Sequence, residues 1–275
     1  MNRAESIAEG LRRVRAQIAD AEQAAHRPAG SVQLVAVSKK MPAEDILVAR
    51  AMGQLDFGEN YAQELRDKRT AIATLSSAAD AVANASPSVL RWHYIGPLQS
   101  NKVKYLAGQV HLIHSVDSPS ILLEIERRTA ALELAMTVGT GSDVALAVPH
   151  GGALTQECLV QVNVAGESQK GGVTPDNLPA LLDAFSPLSH VACVGLMLIP
   201  PFSDDAEDTR RQFSALRELA RREQERGRPH VDLRDLSMGM SHDFPQAVAE
   251  GATMIRVGTA IFGERPTPSP SASAV

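Results

Sequence analysis

Eight short apolar runs, each followed by a stretch with helical spacing, narrow what this 275-residue chain can fold into more than any other feature. The runs are VQLVAVS (32–38), LDFG (55–58), LRWHYIG (90–96), VHLIHSV (110–116), CLVQVNV (158–164), VACVGLMLI (191–199), DLSMG (235–239) and TMIRVG (253–258). Helix start signals fall between them, at Pro42, at Asp117-Ser118-Pro119 and at Thr174-Pro175-Asp176. Alternation of strand and helix specifies a parallel sheet with helices packed outside it. Eight units in about 230 residues suit a closed (β/α)8 barrel of the TIM type, which typically takes about 250. An open doubly wound sheet is the alternative.

Outside this pattern, residues 5–23 carry Ile7, Leu11, Val14 and Ile18 at helical spacing, which predicts an extra amphipathic helix at the N-terminus. The Pro/Ser-rich stretch 265–275 predicts a disordered tail, leaving 1–264 as one barrel domain. Two segments rich in small residues, 74–89 and 136–152, lie in helix-to-strand connections and read as insertions on the face away from the chemistry. The formal net charge is −5 and no run of five basic residues occurs, which argues against nucleic acid or an anionic membrane as the main partner. No window reaches 18 apolar residues, so no membrane span is expected. Cys158 and Cys193 each sit inside an apolar run and read as buried, reduced thiols of a cytoplasmic protein. No cysteine or histidine spacing fits a metal centre.

In such a barrel the chemistry sits at the carboxyl ends of the strands. There the sequence places Ser38-Lys39-Lys40, Glu59-Asn60, His114-Ser115, Ser237-Met238-Gly239-Met240-Ser241 and Arg256-Val257-Gly258-Thr259. The last two put glycine beside hydroxyl residues where a strand turns into a helix. Glycine lets backbone N–H groups approach an anion, and the following helix adds a favourable partial charge. The loops after strands seven and eight are also where barrels most often hold a phosphate. Across the mouth, strand alternation puts Val35, Val37 and Lys39 on one face, and with that face inward Lys39 points into the mouth while Lys40 points away. An ordinary lysine, with a pKa near about 10.4, is almost wholly protonated at neutral pH. Desolvation at a barrel mouth lowers that value and makes the amine a nucleophile toward carbonyls. A lysine facing a phosphate site therefore suggests a phosphorylated aldehyde held as a Schiff base.

Taken in order, AVSK (36–39), FGENYAQE (57–64), WHYIGPLQSNK (92–102), HSVDS (114–118), GLMLIP (195–200), LSMGMS (236–241) and IRVGTAIFG (255–263) resemble the pyridoxal phosphate homeostasis proteins. These are single-domain relatives of the alanine racemase barrel. The resemblance implies a non-catalytic protein of intracellular pyridoxal 5′-phosphate (PLP, vitamin B6) homeostasis, with Lys39 carrying PLP as a Schiff base. It implies that Ser237, Ser241, Gly258 and Thr259 bind the phosphate, that Arg256 faces the pyridine nitrogen and that Asn60 lies beside the cofactor. The partners it implies are PLP and PLP-dependent apoenzymes, for a monomer without nucleic acid or membrane contacts. The chain departs from the family's usual residues at Lys40-Met41 and at His242-Asp243-Phe244-Pro245, neither of which is among these positions.

Two other functions compete. An amino-acid racemase of this fold draws a second base from a further domain, and only twelve residues follow Gly263. A Schiff-base aldolase acting on sugar phosphates accounts for Lys39 and the two loops but not for the whole series of motifs.

Overall fold

Pairing starts at β1 (Gln33–Val37), which lies parallel between β2 (Asp56–Glu59) and the last strand, β9 (Met254–Val257). Its centre is apolar on both faces, as a strand between two neighbours inside a layer of helices requires. On one flank follow β3 (Arg91–Tyr94) and β4 (Leu112–Val116), and on the other β8 (Val231–Ser237), β7 (Val191–Met197) and β6 (Ala153–Gln161). β4 and β6 then pair, with Ile113 opposite Cys158, and the ring of eight parallel strands closes. The computed structural model describes residues 2–83, 89–138, 148–150, 153–167, 169–201, 203 and 205–264. A ninth strand among them, β5 (Val148–His150), runs antiparallel to the start of β6 and stands outside the ring. The open-sheet alternative is thereby excluded.

The helices that cover the ring are α2 (Ala43–Ala51), α3 (Ala62–Ala83), α4 (Ser100–Val103), α5 (Pro119–Thr137), α6 (Leu178–Asp183), α7 (Ala206–Gln224), α8 (Phe244–Ala249) and α9 (Thr259–Phe262). The extra helix predicted at the N-terminus is α1 (Arg3–Ala24), started by a capping box in which Asn2 and Glu5 exchange hydrogen bonds. Its predicted apolar face, Ile7, Leu11, Val14 and Ile18, is buried against α2, α8 and α9. The approach to α9 needs Gly10, because a Cβ there would stand 2.7 Å from the Ile261 carbonyl oxygen. The main core lies between helices and sheet, while Leu112, Leu159, Val194, Met197 and Met254 form a second apolar cluster. Leu112 and Met254 stand at alternate positions to the strand residues that pack under the helices, which places this second cluster inside the barrel.

Three boundaries differ from the sequence reading. β8 begins at Val231, four residues before the expected run, because Asp232 and Arg234 alternate with apolar neighbours and hide it from a search for continuous hydrophobicity. Arg234 pairs there with Glu157 of β6 at 2.8 Å. β6 begins at Ala153 rather than Cys158 and ends at Gln161. Residues 74–83, read as part of an insertion, continue helix α3; positions 84–88, most of the 136–152 segment and the tail 265–275 lie outside the described residues. Cys158 and Cys193 are free, buried register partners on β6 and β7, and burial raises both thiols, Cys193 to about 12. Among the described residues no helix is long and apolar enough to cross a membrane.

Candidate functional site

A cavity of about 230 Å³ opens at the carboxyl ends of the strands. Of the seven residues expected there, Lys39, Asn60, Ser241, Arg256, Gly258 and Thr259 line it. They come from four strand ends, those of β1, β2, β8 and β9, brought together by closure of the ring. Val37, expected on the inward face with Lys39, is part of the wall, which Met41, Ile95 and Ile199 complete, and His242 joins Ser241 at its edge.

The Lys39 side is a tight turn tied down by charge. The Ser38 N–H donates to the Gly58 carbonyl at 3.0 Å, and the Met41 N–H donates back to the Ser38 carbonyl at 2.9 Å. Lys40 takes the left-handed conformation, φ 63°, and its N–H donates to the Glu64 carboxylate. Lys68 of α3, buried, reaches under the turn and donates to the Ser38 carbonyl (2.6 Å), Glu59 Oε1 (2.6 Å) and Glu64 Oε1 (2.7 Å). The Ser38 hydroxyl also donates to Glu59 Oε1, at 2.7 Å. Burial raises the Glu59 carboxyl above its ordinary value although Lys68 and Ser38 pull it down. Lys40 is exposed and does not line the cavity, so its side chain is not part of the site.

The Arg256 side is held by neutral partners. Arg256 is almost fully buried and donates from Nη1 to Ser237 Oγ at 2.6 Å and from Nη2 to the Leu198 carbonyl at 2.9 Å. Burial pushes its guanidinium down to about 10, with Asp243 pulling it back up, so it stays cationic at neutral pH. Ser237, expected on the phosphate, is instead fully buried behind Arg256 and absent from the cavity wall. Its side chain falls on the inward face at the end of β8, where its oxygen accepts from the arginine. No sequence signal separated that position from Ser241, four residues further on.

The glycines act by close approach. A Cβ on Gly258 would lie 3.0 Å from the Val37 carbonyl oxygen, and one on Gly239 (φ 93°) would meet the Ala247 Cβ at 2.6 Å. Past Gly239 the loop is closed by Asp243, which accepts from the Met240 N–H at 2.6 Å. Asn60 Oδ1 is buried without a hydrogen-bond partner among the described residues. A buried polar atom without a partner on a wall that also carries a cation, a lysine and glycine-hydroxyl loops fits a phosphorylated, hydrogen-bonding group. Among the described residues there is no group of three or more His, Cys, Asp or Glu side chains that could hold a metal ion.

The family model for the alanine racemase N-terminal domain matches residues 10–266. A pyridoxal phosphate homeostasis protein of Aquifex aeolicus is 39% identical over 257 residues, covering 94% of this chain and 97% of the relative. The chain belongs to the pyridoxal phosphate homeostasis protein family. A second member, from Pseudomonas aeruginosa, is 38% identical over 97% of this chain and 99% of its own length. Among solved structures, Synechococcus elongatus PipY with PLP bound matches with a TM-score of 0.71 and 36% identity, over 94% of this chain and all of that one. Alanine racemase of Corynebacterium glutamicum (TM-score 0.58, 16% identity) shares the barrel over 62% of its length and speaks for the fold alone.

Proposed function

We propose that this protein binds PLP in the barrel mouth as a Schiff base on Lys39 and serves intracellular PLP homeostasis without turnover of its own. The observation that carries this reading is that Lys39, Arg256 and the two glycine-hydroxyl loops share one cavity. PLP binding in PipY, at 36% identity over the same length, supports it from outside.

PLP supplies an aldehyde for the lysine and, when its ring nitrogen is protonated, a sink for carbanion charge. The residues of this chain divide the work of holding it. Lys39 provides the amine, and the loops carrying Ser241, Gly258 and Thr259 provide donors for the phosphate. Asn60 Oδ1 offers an acceptor that has no other partner among the described residues. Arg256 presents a buried cation to the ring nitrogen. A cation there disfavours protonation of that nitrogen and so weakens the sink, which supports a carrier over a racemase.

The same reading makes residues 1–264 one barrel unit, monomeric and cytoplasmic, that passes PLP to PLP-dependent apoenzymes. The test is the visible absorbance of purified protein with PLP, followed by borohydride reduction and peptide mapping. The expected result is a Schiff-base band with the label on Lys39, lost in Lys39→Ala and kept in Lys40→Ala. Absence of the band with excess PLP would overturn the reading and put the sugar-phosphate aldolase first. Racemisation of added D- or L-alanine at an enzymatic rate would overturn the carrier assignment alone.

A further inference from the structure

Behind Arg256 an unbroken line of side chains crosses the barrel interior. Ser237 Oγ lies 2.9 Å from His114 Nδ1, His114 Nε2 lies 2.9 Å from His93 Nδ1, and His93 Nε2 lies 3.1 Å from Asp56 Oδ1. Five strands supply one member each: β9, β8, β4, β3 and β2. His93, His114 and Ser237 are completely buried. At the far end Arg91 grips Asp56 through both carboxylate oxygens, at 2.6 and 2.5 Å. Nothing in the cofactor reading uses the two histidines or the aspartate.

We propose that Asp56, His93, His114 and Ser237 form a one-way hydrogen-bond relay that positions Arg256 for the ring end of the ligand. The direction follows from which atoms can donate. Arg256 only donates, so Ser237 Oγ accepts from it. Asp56 as a carboxylate only accepts, so His93 donates from Nε2. A cationic His93 would bury a second positive charge on a carboxylate that Arg91 already neutralises, with His111 a further 5.4 Å away ring to ring. With His93 neutral, its Nδ1 accepts from His114 Nε2–H. His114 is held neutral by burial and by the positive charge of nearby Arg256, which push it well below its ordinary value. Its Nδ1 then accepts the Ser237 hydroxyl proton. Every donor in the line therefore points away from the cavity, and Ser237 keeps its lone pairs for Arg256. The guanidinium is fixed in place, and no other proton donor of the relay faces the ring nitrogen.

The proposal has two parts that fail separately. The first needs no ligand: histidine ¹⁵N NMR of the wild-type apoprotein at neutral pH should find His93 and His114 both neutral, protonated on Nε2 and bare on Nδ1. Protonation of His114 on Nδ1, or an imidazolium at either position, would overturn the relay. The second rests on the PLP reading and is measured only once wild type is shown to bind. Ser237→Ala, which removes a buried acceptor of a charged donor, should weaken PLP about tenfold and shift the ¹⁵N resonance of labelled PLP toward its protonated form. Ser237→Thr, which restores the hydroxyl, should return the resonance toward its wild-type position. An unchanged resonance in a folded Ser237→Ala protein would overturn the positioning role, since a merely structural serine would leave the cofactor signal unmoved.

Discussion

The two walls of the cavity hold their functional cations by opposite means. Under Lys39 lies a buried charge network, with Lys68 bonded to Glu59, Glu64 and the Ser38 carbonyl, and these bonds grip the turn. Behind Arg256 the partners are a hydroxyl and a carbonyl, and they grip the guanidinium itself. The proposed Schiff base would need the backbone of Lys39 fixed, which this turn provides. An arginine that only presents charge needs the head group fixed. The difference also predicts unequal fragility, because a buried ion pair is costly to break from one side while a neutral hydrogen bond is not.

The largest effect is therefore expected at Lys68. Lys68→Met leaves Glu59, fully buried, without its cation and with Oε2 already unpaired among the described residues. Loss of one partner of a buried pair costs about 3–5 kcal/mol, read as a lower urea midpoint near pH 7. Adding Glu59→Gln should recover much of that loss. Two independent, additive losses would show that the network is not a unit and would remove this half of the comparison.

Acid separates the two buried carboxylates more gently. Burial alone would raise Asp56, but the hydrogen bonds from His93 and Arg91 overcome it and hold it at about 2, against an ordinary 3.8. Its folded form thus binds fewer protons than the unfolded chain between those values. The linked stability, about 2 kcal/mol, is present above roughly pH 4 and lost as pH falls toward 2. Glu59 runs the other way. Its folded value is raised by burial, so its contribution is greatest below the unfolded value and declines as pH rises through the folded one. Urea midpoints of Asp56→Asn and wild type from pH 2 to 7 should converge at the acid end. Parallel curves would show that Asp56 is not held down by its partners.

How far the sequence alone reached depended on the kind of contact. The ring of eight strands was legible because each inward or buried run repeats hydrophobicity locally, and the lining residues were legible because strand ends are fixed points in a closed barrel. Lys39 in particular follows from counting alternate positions along β1. What holds those residues was not legible. Lys68 lies thirty residues from the Ser38 carbonyl it bonds, and Ser237 lies 123 from His114. Such pairs are set by how strands neighbour one another, which no local period encodes. Ser237 shows the limit most clearly: its hydroxyl was expected on a ligand and instead faces inward to Arg256. The first half of the strand Val231–Ser237 was hidden for a related reason, since its Arg234 is paired with Glu157 on another strand.

The smallest expected effect tests whether the Lys39 turn is held through backbone alone. Lys40 sits at φ 63°, where a side chain costs roughly 1 kcal/mol that glycine does not bear. Its contribution to the turn is its N–H, given to Glu64, and glycine keeps that donor. Lys40→Gly should therefore leave the urea midpoint unchanged or raise it slightly, the relief of strain being partly offset by the greater freedom of glycine in the unfolded chain. PLP labelling of Lys39 should be unaltered. A fall in stability or in labelling would mean that the Lys40 side chain, exposed as it is, takes part in the site, and the Lys39 wall would then depend on head groups as the Arg256 wall does.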